Sequence, residues 1–422
     1  MQVWGEAADR NQRAEQLLAA IRMPTNPESW TYHDLMRIVF ASISAYGHLY
    51  PMMPLALACA EAGHDVTVAI GEPFLGKLPL RTVRGVPGGV DLDWVVRETK
   101  RRHPGFEGYE LIVAMFGDTT ADLISATLIP TFQDMRPDLV VYEALNAGAG
   151  VAAGALGIPA AAYAIGMATF AVGMIHTAAA GYHAGRWADY DRRAPSDAPL
   201  LAAALLDPVP PSMAHYGRAT TMPTVPIRPV AFSESTAQVP DWLTAPRTRP
   251  RVYLTLGTVA FGAVEVLSRA VAEIASLDVD LLVAVGPEGD SAALGAVPAN
   301  VHVERFVAQA DVLPLVDIVV HHGGTGTVLG TFAVGLPQLI LPQGADQFHN
   351  ARSLADIGAG RALLNDEQLP GAIAQAVSEM LADSSERQVA IRLRDEIDAL
   401  PMPAEVVPEL VALVGTSPSD GR

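Results

Sequence analysis

Hydrophobic and polar positions repeat one layout twice along the chain. Arg37–Ile43, RIVFASI, is a near-continuous apolar run that reads as a strand buried on both faces. SAYGHLY, residues 44–50, is a turn. PMMPLALACAEAG, residues 51–63, supplies a helix with Pro51 in its first turn and Gly63 beyond its end. DVTVAI, residues 65–70, is the next strand. The same order returns in RVYLTLG, TVAFG, AVEVLSRAVAEIASL and VDLLVAVG, residues 251–286. Ile38 to Val66 spans 28 positions, and so does Val252 to Asp280. The pattern predicts two α/β units, each a doubly wound parallel sheet, with ligand expected in the crevice between them, outside the carboxyl ends of the strands.

Ser233–Arg251 holds three prolines and little periodicity, so the linker is placed at residues 233–250. The expected domains are an extension at 1–35, a first Rossmann-like unit at 36–232, a second at 251–385 and C-terminal helices at 386–422. No Asp, Glu, Lys or Arg occurs from Ala144 to Gly185. Pro159, Asn146, His176 and His183 interrupt that stretch, which reads as buried strand and pocket-lining helix, with no stable membrane insertion.

Composition narrows the partners. Half of the 422 residues are apolar, enough for large cores. A formal charge of −18 argues against nucleic acid, whose phosphates need clustered Lys and Arg. The one short basic run, Lys100–His103, is expected as a solvated turn. The single cysteine, Cys59, lies in an apolar run and is expected to be an inert core thiol. No His/Cys cluster or Asp-x-Asp has metal-ligand spacing on a plausible strand end, so no metal and no cofactor beyond a co-substrate is expected. No signal peptide is evident, and a cytoplasmic location is expected.

An acidic protein that binds an anion must hold it with backbone dipoles. HHGGTGT, residues 321–327, follows the strand-like DIVV and precedes the helical VLGTFAVG. Such a turn points free N–H groups and the positive helix end at one spot. Gly323, Gly324 and Gly326 allow close approach, while His322, Thr325 and Thr327 add donors. This arrangement predicts a diphosphate cradle. A Walker-type loop is excluded, because no Gly-Lys-Ser/Thr is present.

HGGTGTVLGTFAVGLPQLILPQGADQFHNA, residues 322–351, resembles the donor-binding box of the family 1 glycosyltransferases, nucleotide-sugar enzymes of GT-B fold with two Rossmann-like domains. Its ending resembles the bacterial branch that decorates polyketides and other natural products. The resemblance runs from Met36 to about Gly415. It implies that the loop from His322 to Thr327 binds the donor diphosphate, that His321 packs or caps the strand end, and that Asp346 and Gln347 hold hydroxyls of the transferred sugar, with Asn350 supporting them or capping locally. Gly257 and Thr258 match a second phosphate or sugar contact. Main-chain groups of Val307 would pair with the base and Gln309 would approach the ribose. Gly330 stands where members using ribonucleotide donors carry Glu, so a dTDP-sugar is favoured over a UDP-sugar.

The resemblance also implies that His48 is the general base, deprotonating a hydroxyl of an apolar aglycone. An imidazole with pKa near about 6.5 suits that step. A carboxylate should orient it: Glu143 occupies the matching position, where Asp is frequent, and Asp118 is the rival. The expected reaction is direct displacement at the anomeric carbon with inversion. Met115, Met167 and Met174 would form an adaptable acceptor wall. The C-terminal helices are expected to pack back on the first domain. A homodimer is one option for the assembly. Two other functions compete: an NAD-dependent oxidoreductase, which would need Gly-x-Gly-x-x-Gly after a first strand, and a non-catalytic auxiliary protein of the same fold.

Overall fold

The computed structural model describes residues 35–79, 82–167, 169–196, 199–216, 223–232, 239–257, 264–286, 294–344, 346–382 and 385–415. Nearly all of the expected extension at 1–35, the greater part of Ser233–Pro240, and Thr258 therefore lie outside the described residues.

The chain divides into two compact units, one built around residues 31–230 with 399–422, the other around 231–398. The first holds seven strands: β1 (Arg37–Ala41), β2 (Asp65–Ile70), β3 (Arg84–Pro87), β4 (Leu139–Glu143), β5 (Ala160–Tyr163), β6 (Ala204–Asp207) and β7 (Thr224–Pro226). They lie in the order β3-β2-β1-β4-β5-β6-β7, and every pairing is parallel. The second holds β8 (Arg251–Thr255), β9 (Asp280–Ala284), β10 (Val301–Glu304), β11 (Ile318–His321), β12 (Gln338–Ile340) and β13 (Gly360–Ala362). Their order is β10-β9-β8-β11-β12-β13, again all parallel.

Parallel sheets of this kind are covered on both faces, which is why the central strands read as unbroken apolar runs. Val252, Leu254, Ile318, Val319 and Val320 are all buried, as are Leu139 to Tyr142. The two units repeat each other closely but not identically. Ile38 pairs with Val66, an offset of 28, whereas Arg251 pairs with Asp280, an offset of 29. The equal spacing read from the sequence is thus one residue short in the second unit.

The order reverses beside β1 in the first sheet and beside β8 in the second. Chains leaving β1 and β4, or β8 and β11, diverge to opposite faces and open a crevice at their carboxyl ends. His48 follows β1 and Glu143 ends β4. Gly257 follows β8, and the glycine-threonine loop follows β11.

The helical run Gly108–Met135 is long and apolar enough to cross a membrane, but 56 % of its apolar window is buried in the protein. It includes a π-helical turn at Met115–Thr120. Gly117 lets the helix Thr169–Tyr182 approach there: a Cβ would lie 2.9 Å from the Ile175 carbonyl. Lys100–His103 corrects an expectation. It closes the helix Leu92–Arg102, with Arg101 and Arg102 bound to Glu98 three and four residues earlier. Those spacings are the helical ones.

The helix Ser385–Asp398 groups with the second unit, packing on Thr325–Ala333. The helix Pro403–Gly415 groups with the first, packing on Met53–Glu61. The division falls at Asp398, not before residue 386.

Candidate active site

His48 lies in the one-turn helix Tyr46–Leu49, directly after β1. Its Nδ1 stands 3.1 Å from Glu143 Oε1, an ion-pair distance without the alignment of a hydrogen bond. Catalytic contacts are commonly loose before substrate arrives. The imidazole keeps 18 % of its surface exposed, while Glu143 is wholly buried. Glu143 is held from its other side, since Leu145 N donates to Oε2 at 2.8 Å. The Asn146 side chain then caps the helix Ala147–Leu156. With Nδ1 turned to the carboxylate, Nε2 lies on the opposite side of the ring.

Asp118 is elsewhere. The π-helical turn aims it at His103 Nε2, 2.7 Å away, and at His183 Nε2, 3.6 Å away. It therefore belongs to a helix-joining cluster, and the carboxylate beside His48 is that of Glu143. His176, in the uncharged stretch, is a structural pin. Its Nε2 lies 2.8 Å from the Ala144 carbonyl, and its Nδ1 accepts from Leu201 N. Burial, outweighing that carbonyl and Glu143, brings its pKa down to about 4.

In the second unit, the helix after β11 begins earlier than expected, at Thr325, with Gly324 as N-cap. No side chain caps it, so first-turn N–H groups are left for a ligand. His321 is fully buried and fixes the approach: Nδ1 accepts from Gly323 N, and Nε2 meets Gln338 Oε1 at 2.7 Å. The His322 ring fills the space beside two glycines. A Cβ on Gly257 would lie 2.6 Å from its Cε1, and one on Gly324 would lie 2.6 Å from its Nε2. Gly326 differs: a Cβ there meets nothing. Two of these glycines thus serve a side chain, and the third leaves open room over the helix start.

Asp346 and Gln347 open the helix Gln347–Asp356. Gln347 is buried, and its Oε1 accepts from the backbone N–H of Gln343 and Gly344, which makes Nε2 the donor end of the amide. Asp346 Oδ2 accepts from the Thr325 hydroxyl at 3.2 Å. Val307 buries its side chain in the core with Val312 and Leu313, ahead of the short helix Gln309–Val312. Of the methionines expected in the acceptor wall, Met167 is buried, Met115 packs on the core and Met174 is 49 % exposed. The Leu145 amide and the buried Gln338 escape a sequence reading. The only signal for Gln338 was an amide inside the apolar run LPQLILP. Among the described residues no group of three or more His, Cys, Asp or Glu could hold a metal ion.

The geometry agrees with what the chain resembles. Models of the erythromycin biosynthesis protein CIII-like family match residues 57–257 with its N-terminal domain and 268–413 with its C-terminal domain. The chain is 31 % identical to the 10-deoxymethynolide desosaminyltransferase of Streptomyces venezuelae, over 92 % of this chain and 100 % of that protein. It is 32 % identical to the L-demethylnoviosyl transferase of Streptomyces niveus, over 89 % of this chain and 98 % of that one. The crystal structure of the Streptomyces sp. SF2575 glycosyltransferase SsfS6, complexed with thymidine diphosphate, matches with a TM-score of 0.72 at 27 % identity, over 89 % of this chain and 99 % of that one. Fold and relatives together define a GT-B glycosyltransferase of the bacterial natural-product kind. Within that class the chain belongs to the erythromycin biosynthesis protein CIII-like family.

Two predictions arise from this geometry. Gly324→Ala should displace the His322 ring, costing about 1–3 kcal/mol of stability through overpacking. Gly326→Ala should leave the melting temperature unchanged or raised, because Ala favours a helix, yet weaken binding of thymidine diphosphate. Calorimetric titration beside thermal melts checks both, and full nucleotide binding by Gly326→Ala would show that no ligand approaches there. The second concerns acid. Burial lowers the pKa of His176 and His322 to about 4 and of His321 to about 3. As pH falls below about 6.5, the unfolded chain gains protons that these folded imidazoles refuse, so stability falls toward pH of about 4. Urea midpoints should drop between about pH 7 and about pH 5, with a smaller drop in His176→Gln.

Proposed function

We propose that the chain moves a sugar, with inversion, from a dTDP-linked donor to a hydroxyl of an apolar natural-product aglycone. The desosaminyltransferase and L-demethylnoviosyl transferase that it resembles are sugar transferases by name, which supports this reading. The His48–Glu143 pair carries the reading. In it, His48 Nε2 takes the acceptor proton as the hydroxyl oxygen attacks the anomeric carbon. The bond from that carbon to the diphosphate oxygen breaks, and the electron pair leaves with the diphosphate. Glu143 stabilises the imidazolium that forms. The leaving group gathers negative charge, which the uncapped start of the helix Thr325–Ala333 is built to meet. No cationic side chain is required. Asp346, as acceptor, and the Gln347 amide, as donor, read hydroxyls of the sugar.

The preference for a thymidine nucleotide rests on Gly330. It sits on the helix Thr325–Ala333, where a Cβ would lie 3.4 Å from Leu313 Cδ1, an ordinary contact. A carboxylate could stand there, and its absence removes the partner that a ribose 2′-hydroxyl would use. The thymidine diphosphate bound by SsfS6 supports the same donor class. Met174, exposed on the helix Thr169–Tyr182, supports an adaptable apolar acceptor surface.

Turnover in His48→Ala should fall roughly 10²- to 10⁴-fold while thymidine diphosphate binds as before. Unchanged turnover would remove His48 from the reaction. Thermal stabilisation by thymidine diphosphate should exceed that by uridine diphosphate, since ligand held only by the folded state raises stability by mass action. Gly330→Glu should shift that preference toward uridine diphosphate by about tenfold. A wild-type protein stabilised more strongly by uridine diphosphate would overturn the donor assignment.

A further inference from the structure

We infer that Asn350 is a positioning residue, one that couples the diphosphate loop to the sugar-reading carboxylate so that the donor is recognised as one unit. The inference rests on the proposed function and adds a residue to it. Asn350 lies in the helix Gln347–Asp356, one turn beyond Asp346, and is fully buried. Spacing of four residues on a helix puts the two side chains on one face.

Its amide nitrogen meets three oxygens. Nδ2 is 2.8 Å from the Gly323 carbonyl, 3.0 Å from Thr325 Oγ1 and 3.1 Å from Asp346 Oδ2. Two of these are oxygens without a proton to give. Turning the amide over would set Oδ1 against a carbonyl and a carboxylate, so the orientation follows from its partners. Gly323 is the residue of the loop with left-handed backbone, at φ 96°. Thr325 is the first residue of the loop helix. Asp346 belongs to the next helix and reads the sugar. One buried amide therefore ties the turn, the helix start and the carboxylate together across 27 residues of sequence.

The tie has a direction. Asp346 Oδ2 is engaged by both Asn350 and Thr325, which fixes the plane of the carboxylate and leaves Oδ1 outside the network. A carboxylate held by two donors on one oxygen reaches a sugar hydroxyl without having to lose rotamer freedom on binding. Nucleoside diphosphate alone touches the loop and not this carboxylate. Loss of Asn350 should therefore penalise the sugar nucleotide more than the diphosphate.

The test uses calorimetric titration of the full chain with two probes, thymidine diphosphate and dTDP-glucose. Asn350→Ala should weaken dTDP-glucose by about tenfold or more and thymidine diphosphate by less than about threefold. In an Asp346→Ala background the same substitution should cost dTDP-glucose little further, because the carboxylate it positions is gone. Asn350→Asp preserves volume and sets a second carboxylate against Asp346. It should weaken dTDP-glucose more than Asn350→Ala does, which keeps the test decisive if the alanine variant folds poorly. Equal losses for both probes, a full extra loss without Asp346, or wild-type affinity in Asn350→Asp would each overturn the inference. Wild-type protein that binds neither probe would instead fail the donor assignment, and this inference with it.

Discussion

The proposed reaction asks an acidic protein to hold an anionic leaving group, and a helix start without a side-chain cap is the feature on which that reading depends. No side chain caps the first turn after β11, where Thr327 N already donates to the Gly324 carbonyl. His321 and Gln338 hold the strand end, His322 occupies the space of two missing β-carbons, and Asn350 braces the turn from below. Lysines or arginines would supply more charge, but also mobile chains whose ordering opposes binding.

The first unit meets a different demand with the same topology. There the switch point presents an imidazole and its carboxylate, one exposed enough to meet a reactant and the other sealed from solvent. Burial of Glu143 and its ties to Leu145 N and His48 prevent the carboxylate from wandering to water. The neighbouring Tyr142 phenol is pushed well above its usual range, by burial first and by the Glu143 charge second. Tyr142 and His176, which both feel the Glu143 charge, are thus held neutral by burial.

Much of this was legible along the chain because the informative residues are neighbours in sequence. Buried parallel strands are unbroken apolar runs, and a phosphate loop is seven consecutive residues. What escaped depends on rotation and on distant contacts. Asp118 stood as the rival to Glu143 until the π-helical turn, which no periodicity betrays, carried the aspartate to His103 and His183. The loop helix starts three residues before the apolar pattern does, because glycine and threonine carry no hydrophobic mark. The end of the helix Leu92–Arg102, by contrast, could have been read, since Glu98 stands three and four residues before its arginines. The acceptor methionines share a composition but not a surface: Met167 is core and Met174 faces solvent.

The helix Pro403–Gly415 carries a lesson about the order of events in synthesis. It lies against Met53–Glu61, with Val406, Val407 and Leu410 buried, and Arg228 bonds the carbonyls of Leu400 and Pro401. A segment translated after the second unit is therefore a wall of the first. A nascent chain can assemble the sheet of that unit early, but an apolar flank stays open while residues 231–398 are translated. Loss of the helix Pro403–Gly415 would thus be felt first in the unit that holds His48.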